Sequence, residues 1–142
     1  MEHSSITWIQ IPAEDLKRAA TFYENVFGAS FFFEVLNNIP HAVFNENENG
    51  KKLLNGALIK IEEKITSGVG PILFWDATGD FETILKRIKE NGGEVIKTKK
   101  LIKKKESETS STIPNTYIDN KPGYYAHFTD SEGNKMGLYG SN

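Results

Sequence analysis

The sequence predicts an α+β fold: two consecutive strand–helix–three-strand units in one domain of 142 residues. Three observations predict it. Segments rich in β-branched and aromatic residues flank two segments whose apolar residues recur at helical spacing. The order strand, helix, strands occurs twice. Asp15 and Gly28 lie thirteen residues apart, as do Asp80 and Gly93, and each of these spans follows one strand and precedes another. Self-similarity at so long a period does not describe a solenoid. It describes two halves, each leaving one sheet face uncovered, which pair to bury it.

Ile6-Thr7-Trp8-Ile9-Gln10-Ile11 reads as the first strand, closed by Pro12. Leu16, Ala19, Ala20, Tyr23 and Phe27 then form one apolar helix face, with Asp15 as N-cap and Gly28 as stop. Phe31-Phe32-Phe33-Glu34-Val35-Leu36 is the second strand. Asn37-Asn38-Ile39-Pro40 is a turn, His41-Ala42-Val43-Phe44 the third strand, 45–52 a polar loop, and 56–61 the fourth strand. The pattern restarts at Ile72-Leu73-Phe74-Trp75. Asp80 opens a second helix on Phe81, Ile84, Leu85 and Ile88, ended by Asn91-Gly92-Gly93. Glu94-Val95-Ile96-Lys97 starts another strand. Segments 123–128 and 135–139 are two more, joined by a hairpin-type turn at 130–134 in which Gly133 and Asn134 supply the unusual backbone angles. The first module is thus expected at about 6–63 and the second at about 70–140, with a polar insertion at about 99–121. Lys99, Lys100, Lys103, Lys104 and Lys105 precede a Ser/Thr-rich run there. Its first part can extend the preceding strand, and the rest is read as a solvated, mobile loop in preference to an anion-binding lid.

Composition excludes several classes. With 38% hydrophobic and 25% charged residues the chain can bury a core. A net charge of -2 is not the basic excess of a general nucleic-acid binder. No cysteine is present, which removes disulfides, zinc–thiolate sites and thiol nucleophiles. No apolar run approaches the roughly 18 residues of a membrane span, and the N-terminus lacks the features of a signal peptide. A cytoplasmic protein with no nucleic-acid or membrane partner is expected. No Ser-His-Asp arrangement, GxGxxG or phosphate-cradling Gly-Lys-Ser/Thr motif is legible.

Two segments carry a family resemblance. Near the start stand Asp15-Leu16, Phe22-Tyr23 and Val26-Phe27-Gly28. Near the end, Gly123 to Asp130 is followed by Glu132-Gly133-Asn134-Lys135-Met136-Gly137-Leu138-Tyr139. Together they resemble the glyoxalase / bleomycin resistance protein / extradiol dioxygenase superfamily, the vicinal oxygen chelate fold, over nearly the whole chain apart from the insertion. The resemblance implies two βαβββ modules forming a curved mixed sheet with a central cleft and helices outside. It also implies pairing across subunits, and a homodimer is expected, since Phe31, Phe32 and Phe33 cannot all face inward. Fold alone does not imply an activity.

Metal-dependent members of that superfamily hold one divalent cation in the cleft with His, Gln and Glu side chains, and the cation acts as a Lewis acid. Counting from the matched motifs, the first-strand ligand position falls on Trp8, the second-half position near Leu73, and the last-strand Glu position on Gly137. None of these can ligate; indole is a donor only. Gln10, on the same strand face as Trp8, and Glu62 are the remaining candidates, a poor set for a transition metal. No metal and no cofactor are therefore expected.

His3 is read as terminal and His41 as a strand-end surface residue. His127 faces the cleft with Tyr125 and Thr129 if Tyr124, Ala126 and Phe128 face the helices. It is read as a hydrogen-bonded wall residue, although its titration range suits acid–base work. Trp8, Trp75, Tyr125 and Tyr139 are assigned to the cleft face by alternation. Their polar ends need partners when buried, which favours a ligand over simple filling. The expected site is thus Trp8, Gln10, Trp75, Tyr125, His127 and Tyr139, with no catalytic residue assigned. The expected role is metal-free binding of a small hydrophobic or aromatic molecule, a sequestering role like that of the resistance branch. The alternatives are a divalent-metal-dependent lyase, isomerase or dioxygenase, which requires Gln10, Glu62 and His127 to converge, and a protein-partner module using the Lys-rich insertion.

Overall fold

The computed structural model describes residues 5–66, 69–105 and 112–142. His3 and part of the insertion lie outside them. The elements run β1 (Ile9–Ala13), α1 (Leu16–Phe27), β2 (Ser30–Leu36), β3 (Ile39–Asn45), β4 (Gly56–Lys60), β5 (Leu73–Asp76), α2 (Phe81–Glu90), β6 (Glu94–Leu101), β7 (Pro114–Asn115), β8 (Lys121–Thr129) and β9 (Lys135–Ser141). One sheet has the order β1-β4-β3-β2 and the other β5-β9-β8-β6, with β7 paired to β8. In each, the strand before the helix runs parallel to the last strand of its unit, β1 beside β4 and β5 beside β9. This is the α+β architecture of two βαβββ units that the sequence predicts.

Local chemistry fixes the boundaries. Asp15 caps α1 by accepting the Arg18 N–H at 3.0 Å. Gly28 ends it in the left-handed region at φ 71°, where its lack of a Cβ removes the steric cost. Asn37 and Asn38 both hold positive φ, 52° and 65°, the pattern of a two-residue hairpin turn, so β3 begins two residues earlier than the reading from His41. At the last hairpin Gly133 has φ 93°, but Asn134 does not adopt a positive φ. Asn134 works through its amide instead, donating to Asp130 Oδ2 and Pro12 O at 2.9 Å each. The insertion reading is revised at its far end only. Its leading lysines extend β6 to Leu101, and its far end forms β7, where Asn115 is wholly buried.

Helix α1 joins the halves. Phe22 and Phe27 pack on Phe128 of β8, with ring centroids 6.4 and 6.1 Å apart. Tyr23 and Phe27 pack on Trp75 of β5 at 5.5 and 5.0 Å. Each fully covered aromatic of this kind contributes roughly 1.5–3 kcal/mol of burial, so the shared core binds the units into one body. The side chains of Ile11, Leu58, Ala42 and Phe44 from the first sheet, and of Trp75, Leu138, Met136, Ala126 and Phe128 from the second, face this core. The faces away from the helices are left for the site. No helix among the described residues is long and apolar enough to cross a membrane.

Candidate functional site: an aromatic pocket on the second sheet

Strand register determines what each open face presents, because cross-strand partners point the same way. On the second sheet one row runs Phe74, Gly137, His127 and Lys97, and the next runs Asp76, Tyr139, Tyr125 and Lys100. Ala126 and Phe128 are wholly buried between these outward residues, so the expected parity of β8 holds. Phe74, Tyr125, His127 and Tyr139, with Ile102 and Tyr117 from beyond β6 and β7, line a pocket of about 480 Å³. The His127 ring lies 5.5 Å from Tyr125 and 5.7 Å from Phe74, centroid to centroid. Lys97 Nζ stands 3.4 Å from the Tyr125 hydroxyl and 5.5 Å from its ring centroid.

Burial, then the ammonium groups of Lys135 and Lys97, holds His127 below its ordinary value of 6.5. The neutral imidazole is therefore favoured near neutral pH, and it can donate or accept a hydrogen bond at the pocket wall.

Of the six expected site residues, the structure brings Tyr125, His127 and Tyr139 together. Trp8 and Gln10 lie elsewhere, in a groove of about 460 Å³ between β1 and the segment that leads into β5. Trp75 is a correction. It is 8% exposed and packs in the helix-side core against Tyr23, Phe27 and Phe44, because its register partner Leu138 is a core residue. The outward residue of β5 is Phe74, not Leu73. Sequence reasoning missed Phe74, Ile102 and Tyr117. The β5 run is apolar at every position from Pro71 to Trp75, so alternation gave no parity; the parity of β9, with Met136 and Leu138 inward, carries the signal.

His41 is also corrected. It is 5% exposed, on the open face of the first sheet opposite Ile59 and Glu34, and its Nδ1 lies 2.8 Å from Ile39 O.

The positions that would hold a divalent cation do not fit one. Phe74 and Gly137 are register partners, and an ideal Cβ built on Gly137 would lie 2.3 Å from Phe74 Cε2. The ring covers the place where a carboxylate-bearing side chain would rise. Trp8 at the first-strand position offers no lone pair. Glu62 is an exposed residue paired to Lys60 at 3.7 Å, and Gln10 and His127 line different pockets, so these three do not converge. Among the described residues no three His, Cys, Asp or Glu side chains gather as a metal-binding group.

The fold and the matched segments define a family, and direct comparison agrees. The profile of the Glyoxalase/Bleomycin resistance protein/Dioxygenase superfamily matches residues 5–138. The chain belongs to this superfamily. A glyoxylase-like domain-containing protein from Didymella fabae is 30% identical over 93 residues, covering 64% of this chain and 70% of that one. Among solved structures, FosX, a genomically encoded fosfomycin resistance protein from Listeria monocytogenes, superposes with a TM-score of 0.65 at 15% identity, covering 99% of this chain and 95% of that one. That structure is a variant complexed with Mn(II) and 1S,2S-dihydroxypropylphosphonic acid. A glyoxalase/bleomycin resistance protein/dioxygenase family enzyme from Burkholderia phytofirmans PsJN gives 0.62 at 16% identity, covering 96% and 98%. At such identities the structural likeness speaks for the fold alone.

Proposed function

We propose that this protein binds a small, planar aromatic or hydrophobic molecule in the pocket of Phe74, Tyr125, His127 and Tyr139, without a metal ion, in a sequestering role. The observation that carries this reading is the Phe74 ring seated over Gly137. An aromatic surface occupies the position at which metal-dependent relatives would need a carboxylate. A pocket of about 480 Å³ lies within the usual range of small-ligand sites, and its walls are rings with few polar groups. The neutral His127 and the Tyr125 and Tyr139 hydroxyls supply the few polar contacts that orient a guest. Trp8 and Gln10 line a separate groove and are not part of this pocket.

A homodimer is part of the same proposal. The open face of the first sheet carries Phe32, Leu36 and Ile39, between 38% and 45% exposed, and a second copy would cover them. Sedimentation equilibrium tests this, and a monomer at millimolar concentration would remove it.

The test of binding is a titration with planar aromatic compounds followed by amide and imidazole NMR. Saturable shifts centred on Tyr125, His127 and Gly137 are expected. Absence of shifts across a chemically varied panel would overturn the reading. Stoichiometric nickel, zinc, iron or manganese in protein purified without chelator would overturn its metal-free part.

A further inference from the structure

We propose that the aromatic pocket selects planar aromatic anions, such as arenecarboxylates, over neutral and cationic aromatics, with Lys97 as the selecting group. This rests on the pocket being a ligand site, and goes further by fixing the charge of the guest. Rings alone do not decide it. Four aromatic faces in one pocket suit a quaternary ammonium equally well, through cation–π attraction.

The charges around the rings decide it. Lys97 already stands over the Tyr125 ring at 5.5 Å, so the chain's own cation occupies that face. Lys97 flanks His127 across β6 and β8, is half-buried, and is in no ion pair among the described residues, whose two such pairs are Arg18–Glu132 and Lys60–Glu62. Lys135, opposite Thr129 on β9, lines the other groove.

No acid among the described residues pairs with Lys97. Asp76, at the end of the Tyr139 row, turns Oδ1 to the Thr78 N–H at 3.0 Å, and Glu94 is exposed at the far side of the Thr129 row. A second cation would therefore enter beside the unpaired Lys97 ammonium. A carboxylate would instead gain charge-assisted hydrogen bonds, from Lys97 and from the Tyr125 hydroxyl beside it.

The experiment is calorimetric titration of the full chain with three probes sharing one ring system: 2-naphthoate, 2-naphthalenemethanol and 2-naphthylmethylammonium. Naphthoate is expected to bind about tenfold or more tighter than the alcohol, about 1.4 kcal/mol, and the ammonium compound more weakly still. Lys97→Met should weaken naphthoate binding severalfold and bring it close to that of the alcohol. If the alcohol binds as well as the acid, or the ammonium compound binds best, the charge selection is overturned while the pocket stands as a ligand site. If none of the three binds, the charge selection is overturned, and the wider NMR panel decides the pocket reading separately.

Discussion

The Tyr23 hydroxyl donates to Asp130 Oδ2 at 2.6 Å, joining the middle of α1 to the turn before β9 across 107 residues of chain. Both groups are buried. The same carboxylate accepts the backbone N–H groups of Glu132 and Asn134 at 2.9 Å, and the Asn134 amide as well. Burial, then the carboxylate itself, holds the Tyr23 phenol well above its ordinary value, so it stays a donor at every accessible pH. Tyr23→Phe removes one charge-assisted bond from a covered carboxylate and is expected to cost about 2 kcal/mol. A lower urea midpoint with an unchanged slope is the expected signature. A midpoint within error of wild type would show that the bond contributes nothing net.

The neighbouring pair gives an acid-stability prediction. The Glu132 side chain is wholly covered, while Arg18 is half exposed; Arg18 Nε and Nη2 reach its two oxygens at 2.7 and 2.9 Å, and Asp15 N–H adds a bond at 2.9 Å. Burial alone would raise this carboxyl. The Arg18 guanidinium, the Asp15 N–H and the Ser131 hydroxyl outweigh it and hold it below its ordinary 4.5. Stability from Glu132 is therefore fully present above 4.5 and is lost as pH falls through the folded value. Glu132→Gln should flatten that part of the acid limb in thermal melts between pH 7 and 3. A limb unchanged in slope would contradict the assignment. Arg18→Met should cost only about 1 kcal/mol, because solvent screens the exposed end of the pair.

Asp130 works in the opposite direction. Burial raises its carboxyl above 3.8 despite the bonds from Tyr23 and Asn134. Its contribution is present below the unfolded value and declines as pH rises through the folded one. Asp130→Asn should therefore lessen the decline as pH rises from 3.8 through the folded value, although the lost hydrogen bonds lower stability throughout. Melts of the single and double variants with Glu132→Gln separate the two signs.

Two glycines should respond differently to the same methyl group. A Cβ on Gly56 would lie 1.9 Å from the Ile9 carbonyl oxygen, a backbone atom of the parallel neighbour β1. Gly56→Ala must push two strands apart and is expected to cost about 3 kcal/mol. A Cβ on Gly137 meets only the Phe74 ring, which is 48% exposed and can swing away. Gly137→Ala should cost less than about 1 kcal/mol while changing the pocket floor. Equal costs in denaturant titrations would refute this contrast.

His127 should titrate below 6.5 in imidazole NMR spectra. Removing either cation, in Lys97→Met or Lys135→Met, should move the midpoint upward, and a ligand carboxylate beside it should do the same. The stability His127 contributes is present above 6.5 and is lost as pH falls through the folded value. A midpoint at or above 6.5 in wild type would contradict the burial and the charges assigned to it.

Much of the fold was legible because its signals are local. Asp15 and Gly28 punctuate α1, and the alternation of Ala126, His127 and Phe128 orients β8. What escaped reading depended on partners distant in sequence. Trp75 faces the helices because β5 lies beside Leu138, and nothing in the all-apolar stretch before it sets that parity. Phe74 was missed for the same reason, and with it the ring that covers Gly137. His41 reads as a surface residue because a strand end carries no sign of the Ile59 and Glu34 side chains that flank it. Asn134 reads as turn chemistry, whereas its amide bonds to Pro12 at the other end of the chain.

The clasp around residues 130–134 has a consequence for biosynthesis. Pro12, Asp15, Arg18 and Tyr23 all find partners there. A nascent chain emerging from the ribosome must therefore keep its first helix undocked on that side until the final hairpin has been translated. Contacts of such sequence separation are slow to form, so the apolar face of α1 spends most of synthesis without its second sheet. Truncation a dozen residues from the C-terminus would remove the clasp and leave the nascent N-terminal half in that unfinished condition.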